Sequence, residues 1–137
     1  MVTIAGTDPS PDELVDLYRA VGWSAYTRDP DLLVAAVAGS HGVVTAREDG
    51  VLVGLARTVS DGATIVYVQD VLVHPDHQRT GVGRALLGEV LRRYAHVRQT
   101  VLLTDAEPGQ RAFYESLGFV ETHDVGPAPL RSFVLLR

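Results

Sequence analysis

The chain contains no cysteine. That excludes a disulfide framework, a zinc site built on thiolates and a covalent acyl-cysteine intermediate. Basic side chains are outnumbered, 12 against 17 acidic ones, for a net charge of −5. This sign is wrong for neutralising phosphates along a nucleic acid, so nucleic-acid binding is not expected. No apolar run reaches the roughly 18 residues of a membrane span, and Met1-Val2-Thr3-Ile4-Ala5 lacks the basic region of a secretory leader. A cytoplasmic protein without membrane contact is expected. No Gly-Lys-Ser/Thr end marks a Walker A loop, and no Gly-x-Ser-x-Gly elbow presents a nucleophilic serine.

What remains is 137 residues, 46% of them hydrophobic and 21% charged, the composition of one globular domain spanning residues 1–137. At this size a fold buries roughly two thirds of the surface its unfolded chain exposes, enough for a core without staples.

The punctuation is clear. Ser10-Pro11-Asp12-Glu13 reads as a capping box with proline at the first helical position, followed by Leu14, Leu17, Tyr18 and Val21 at helical spacing and a stop at Gly22. A second helix starts at Asp29-Pro30, buries Leu32, Leu33, Ala36 and Val37, and ends at Gly39. Two helices are therefore expected before any strand. From Val43 the period changes to that of strands: Val43 to Arg47, Val51 to Val59 and Ala63 to Val73, joined by Asp49-Gly50 and Asp61-Gly62 as an antiparallel meander. His74-Pro75 ends the third.

Gly81 opens an amphipathic helix with Val82, Leu86, Leu87, Val90, Leu91 and Tyr94 on one stripe. Gln99 to Thr104 reads as a buried strand, and Pro108 starts a helix that carries Phe113, Tyr114 and Leu117 up to Gly118. Phe119 to Thr122 and Arg131 to Leu136 read as final strands. The order implies an α/β fold, with a mixed, mostly antiparallel central sheet flanked by helices. The section from Ala63 to Thr104 has the length of a parallel crossover.

Chemistry concentrates at Gln78-Arg79-Thr80-Gly81-Val82-Gly83-Arg84, between a strand and a helix. Glycine lets a backbone approach a ligand closely, and the unpaired N–H groups of a first helical turn attract an anion along the helix dipole. A dinucleotide fingerprint would place a third glycine where Leu86 stands and a tight turn directly off the strand, whereas seven residues separate Val73 from Gly81.

Gln78-x-x-Gly81-x-Gly83 resembles the Gln/Arg-x-x-Gly-x-Gly/Ala motif of the GNAT superfamily of acyl-CoA-dependent N-acyltransferases. The approach Asp70-Val71-Leu72-Val73-His74-Pro75 is similar to that family's fourth strand, and Phe113-Tyr114-Glu115-Ser116-Leu117-Gly118-Phe119 to its late helix and turn. The resemblance implies acetyl-CoA as cofactor, lying in a cleft where a splayed strand pair opens. Main chain of Val71, Leu72 and Val73 would pair with pantetheine. The N–H groups from Arg79 through Thr80, Gly81, Val82 and Gly83 to Arg84 would hold the pyrophosphate, with the Arg79 or Arg84 side chain adding charge. Tyr114 stands where the family has its general acid. The family's asparagine before that tyrosine has no counterpart in Glu107-Pro108-Gly109-Gln110, and Gln110 or a backbone group takes its place.

Asp70 is the only carboxylate of the fourth strand: base, substrate anchor or structural acceptor. Tyr67 and Gln69 share one face if the strand is regular, and a bulge would reassign them. Trp23 and Tyr26, on the segment joining the first two helices, are expected either to meet the acceptor or to pack over the sheet. The reaction implied is acetylation of a small primary amine by direct attack in a ternary complex. Acetylation of peptides and non-catalytic acyl-CoA sensing are the alternatives. No metal is expected: His74 and His77 stand close, but His41, His96 and His123 fall at scattered turns. Small domains of this kind often pair through sheet edges or C-terminal strands, so a homodimer is among the expectations.

Overall fold

A computed structural model describes all residues, 1–137. Residues 1–102 and 103–137 form two compact units. The first holds a five-stranded sheet in sequence order: β1 (Val2–Ala5), β2 (Gly42–Glu48), β3 (Val51–Ser60), β4 (Ile65–Val73) and β5 (Gln99–Leu102). The first three pairings are antiparallel and β4 with β5 is parallel, so the expected mixed, mostly antiparallel sheet is what the chain forms. Helices α1 (Pro11–Ala20), α2 (Ser24–Thr27) and α3 (Pro30–Ala38) lie between β1 and β2, and α4 (Val82–Arg93) lies between β4 and β5.

The N-terminus departs from expectation, because β1 precedes the helices. Its four residues pair with Thr45–Glu48 as an edge strand. A run that short, with no turn signal before it, carries too little period to stand out. The α1 cap forms as read: Glu13 N–H donates to Ser10 Oγ at 3.2 Å and Ser10 N–H donates to Glu13 Oε1 at 2.9 Å.

Consecutive residues of a strand face opposite sides, and β3 shows which side each helix covers. Leu55 joins the buried cluster of Leu14, Leu17, Tyr18, Leu33, Val37 and Leu72. Its neighbour Gly54 faces α4, where an added Cβ would meet Leu86 and Val82 at 3.1 Å. Glycine there lets α4 sit close. Helices α1 to α3 and helix α4 therefore cover opposite faces of the sheet.

In β4 the register skips one residue: Arg57 pairs with Asp70 but Thr58 pairs with Val68, leaving Gln69 as a bulge. Pairing with β5 runs only from Ile65↔Gln99 to Val68↔Leu102. The second half of β4, Gln69–Val73, thus has β3 on one side and no strand on the other, which is the splayed pair expected.

The second unit holds α5 (Pro108–Ser116) and a single helical turn at Thr122–Asp124. Arg111 ties the two together, donating to Glu115 at 2.7 Å, to Asp124 at 2.6 Å and to Glu121. The strands expected at Phe119 to Thr122 and Arg131 to Leu136 are absent. A strand exists only with a partner, and neither segment has one here. No helix is long and apolar enough to cross a membrane.

Candidate functional site

The loop from β4 to α4 is shaped by backbone. Pro75 starts a single helical turn over Pro75–His77, capped when His74 Nδ1 accepts from Asp76 N–H at 3.1 Å. The Gln78 amide reaches back to donate to the Val73 carbonyl at 3.1 Å, and Thr80 Oγ1 donates to the His77 carbonyl at 2.5 Å. Two residues then take left-handed backbone, Arg79 at φ 62° and Gly81 at φ 90°. Such a bend is cheap only for glycine at the second position. It turns the chain into α4 with no side-chain cap on Gly81, so the first N–H groups of the helix are left for another acceptor.

This cradle fits a pyrophosphate by its own geometry. A Cβ built on Gly81 meets nothing within 4 Å, so the space over the turn is open. Val82, the first residue of α4, is buried. The predicted residues Gln78 to Arg84 and Val71 to Val73 form one continuous stretch, with Leu72 committed to the core and Val71 and Val73 half-buried. The side chains of Arg79 and Arg84 are exposed. His77 fastens the loop to the end of β2, its Nε2 2.6 Å from Glu48 Oε2. That contact holds the Glu48 carboxyl below the usual carboxylate range.

A second group forms around Asp70, which is 4% exposed. Tyr18 hydroxyl donates to its Oδ2 at 2.9 Å, Tyr26 hydroxyl to its Oδ1 at 3.0 Å, and Arg57 Nε to its Oδ2 at 2.5 Å. Arg57 is itself buried and also donates to the Tyr26 hydroxyl at 3.3 Å and to Ser40 Oγ at 3.4 Å. Gln69 Nε2 donates to the same Tyr26 oxygen at 3.3 Å. Gln69 and Asp70 are adjacent, and both reach one phenol because the bulge breaks the alternation.

Burial and the neighbouring Asp70 charge push the Tyr18 phenol far above its ordinary range. Burial works against the Arg57 charge, but the bond to Asp70 outweighs it and holds the guanidinium protonated. The Trp23 ring lies 5.9 Å from Tyr18 and 6.2 Å from Tyr26, completing a half-buried aromatic wall. Of the residues expected to meet an acceptor, Trp23, Tyr26 and Gln69 are therefore gathered. Tyr67 is half-buried on the same strand.

Sequence reading missed Arg57 and the role of Tyr18. A signal was there for the first: the arginine that follows the apolar run Val51-Leu52-Val53-Gly54-Leu55-Ala56 in the same strand needs a partner if buried, and Asp70 is the only carboxylate of the next strand in the chain. Tyr18 read as one more apolar stripe residue.

Tyr114 belongs to the second unit, on α5, with ring centroids 5.1 Å from Phe113 and 5.7 Å from Phe119 in edge-on geometry. Burial, with the charge of Asp105, raises the phenol above its ordinary value. Glu121, His123 and Asp124 bring ligand atoms together, but all are exposed and Arg111 already engages both acids.

A family model described as an acetyltransferase (GNAT) domain matches residues 23–128. A solved GNAT-family acetyltransferase of Streptococcus pneumoniae is 31% identical and superposes with a TM-score of 0.84, over 100% of this chain and 98% of that one. The L-amino acid N-acyltransferase MnaT of Escherichia coli is 33% identical over 118 residues, covering 77% of this chain and 68% of that protein. An uncharacterised N-acetyltransferase, ycf52 of Porphyra purpurea, is 33% identical over 73 residues, 53% of this chain but only 42% of its own length. The chain therefore spans less than half of that relative. By the family model, by the bacterial relative and by a fold shared end to end with the streptococcal enzyme, this chain belongs to the GNAT family of acetyltransferases.

Proposed function

We propose that residues 1–137 act as one cytoplasmic acetyltransferase domain that moves an acetyl group from acetyl-CoA to a primary amine of a small molecule. The observation that carries this reading is the uncapped left-handed turn at Gly81, next to a strand half with an open edge. When bound, acetyl-CoA supplies the thioester whose acyl carbon the amine attacks. The remaining work falls to the chain. N–H groups from Arg79 to Arg84 hold the pyrophosphate, and the Val71 to Val73 main chain orients pantetheine. Tyr114 keeps its proton until a thiolate develops, which its raised pKa favours, and then gives it up as the general acid.

Asp70 enters as a positioning group. Its oxygens already accept from Tyr18, Tyr26 and Arg57, so it anchors the wall formed by Trp23, Tyr26 and Gln69 instead of drawing a proton from the amine. A small acceptor suits that wall, since its aromatic rings are packed on one another and the phenol hydroxyls are bonded inward. Without cysteine, transfer is direct, and sequential kinetics are expected.

The test is acetyl-CoA-dependent thiol release against polyamines, aminoglycosides, arylalkylamines, amino acids and short peptides, with cofactor binding followed in the same samples. The chain contains no lysine, so acetylation of its own lysines cannot mimic turnover. Release with a small amine supports the reading. Release with peptides alone makes it a peptide acetyltransferase, binding without release makes it a sensor, and no binding refutes the cradle. Tyr114→Phe is expected to lower turnover about 100-fold, within the range of general acid catalysis, and to leave cofactor affinity unchanged.

A further inference from the structure

Charge is balanced inside the wall before any acceptor arrives. Asp70 is the only carboxylate of β4, the group that a cationic acceptor would seek there. It is satisfied from within: Oδ2 accepts from the Arg57 Nε and the Tyr18 hydroxyl, and Oδ1 accepts from the Tyr26 hydroxyl. Asp70 and Arg57 are both buried, so the carboxylate keeps the one positive charge it has. The guanidinium is fixed in turn by its bonds to Ser40 and Tyr26.

Arg57 also engages the aromatic side of the wall. Its Cζ lies 5.7 Å from the centroid of the Tyr26 ring, within cation–π range. An ammonium brought to Tyr26 would meet a ring already in use and a like charge behind it. What the wall leaves partly exposed is neutral: the Trp23 and Tyr26 side chains and the Gln69 amide. An uncharged body gains contact on these rings, whereas a second ammonium would shed water there and find no partner. The net charge of −5 draws amines of any charge toward the chain, so discrimination falls to these contacts.

We infer that Arg57 determines acceptor specificity: it takes, from inside, the place that a second ammonium would occupy on Asp70, so the acceptor is a monoamine with an uncharged body, and diamines, polyamines and aminoglycosides are rejected. The wrong acceptor is refused by being denied a partner. This inference rests on the reading of Trp23, Tyr26 and Gln69 as the acceptor wall.

The experiment uses the full chain. Trp23 is its only tryptophan, so tryptophan fluorescence reports occupancy of the wall without any turnover. The probes are para-methylbenzylamine and para-xylylenediamine, which share a ring and a reacting aminomethyl group and differ by one ammonium. In wild type the monoamine is expected to change Trp23 emission saturably, and the diamine to bind at least about tenfold more weakly. With acetyl-CoA, kcat/KM is expected to favour the monoamine by the same factor, through KM. Arg57→Lys keeps the charge and is expected to retain this ratio. Arg57→Gln releases Asp70 and is expected to lower the ratio about tenfold, whereas structural damage alone would weaken both amines alike and leave it unchanged. The wild-type pair decides the matter even where Arg57→Gln does not fold. A wild type that takes the diamine as well as the monoamine overturns the inference. So does a preference that persists in folded Arg57→Gln, or a Trp23 emission that answers to neither amine while thiol is released. Selective binding of the monoamine without thiol release upholds the specificity and overturns the catalytic reading instead.

Discussion

The Gln78–Gly83 loop and the Asp70 cluster lie along one stretch of chain and are built in opposite ways. The loop presents main chain: its shape comes from left-handed backbone at Arg79 and Gly81, and its unused donors are amides. The cluster presents side chains locked to one another, with Arg57, Tyr18, Tyr26 and Gln69 converging on two neighbouring oxygen groups. An anion of fixed shape, common to every turnover, is suited by rigid backbone donors that tolerate changes of side chain. A site that must select one acceptor is suited by side chains, because they can be exchanged without disturbing the loop.

The contrast breaks most sharply at Arg57. Arg57→Ala leaves the Asp70 carboxylate buried without its charge partner, and stability should fall by about 3–5 kcal/mol in denaturant titration. A loss below about 1 kcal/mol would mean that Asp70 finds water and that the cluster is looser than its geometry implies. At the loop, Gly81→Val forces a β-branched residue to φ 90°, costing about 1–3 kcal/mol of backbone strain. Because the new side chain points into open space, the cost is strain and blocked approach, not internal clash. Acetyl-CoA affinity measured by calorimetry should fall at least tenfold, about 1.4 kcal/mol. Tyr26→Phe, which removes one hydroxyl shared by Asp70, Arg57 and Gln69, should cost about 1 kcal/mol in stability. It should raise KM for the acceptor several-fold while leaving acetyl-CoA affinity intact. Equal effects on both ligands would erase the distinction between the two regions.

The difference in construction also explains what the sequence revealed. The loop was legible because backbone geometry demands glycine at fixed, adjacent positions, and Gln78, Gly81 and Gly83 are readable in one line. The meander and the α4 stripe were legible for the same reason: Asp49-Gly50 and Asp61-Gly62 are local turn chemistry, and helix spacing is local periodicity. The Asp70 cluster joins residues 13, 44 and 52 positions from the aspartate, and no local pattern announces such a meeting. Only the bulge at Gln69 lets two adjacent side chains serve one phenol, and bulges leave no trace in apolar alternation. Strand β1 was missed because four edge residues make no period. The segment Arg131 to Leu136 has the composition of a strand, but a strand forms only beside a partner, and composition does not say whether one is there.

The smallest effect separates stability from the acceptor wall. Glu13 closes the cap of α1, the helix whose far end carries Tyr18, and it also accepts from Arg47, with NH2 at 3.2 Å. The bond from Arg47, then that from the Ser10 amide, lowers its pKa from 4.5 to about 2. A carboxyl depressed on folding stabilises the native state above its unfolded value, and that stabilisation is lost as pH falls through the folded one. The contribution is therefore complete above about pH 4.5 and fades toward pH 2. Glu13→Gln should cost about 1 kcal/mol at neutral pH, the usual worth of a cap contact on a partly exposed helix end. Between about pH 4.5 and 2, the wild-type advantage in unfolding midpoint should shrink. Acceptor KM should not move, because Tyr18 lies in the second turn beyond the cap and is held by Asp70 and the core. If KM rose with the loss of the cap, the wall would owe its geometry to the whole of α1, and the proposed division between a backbone-built cofactor site and a side-chain-built acceptor site would have to include that helix as a third, shared support.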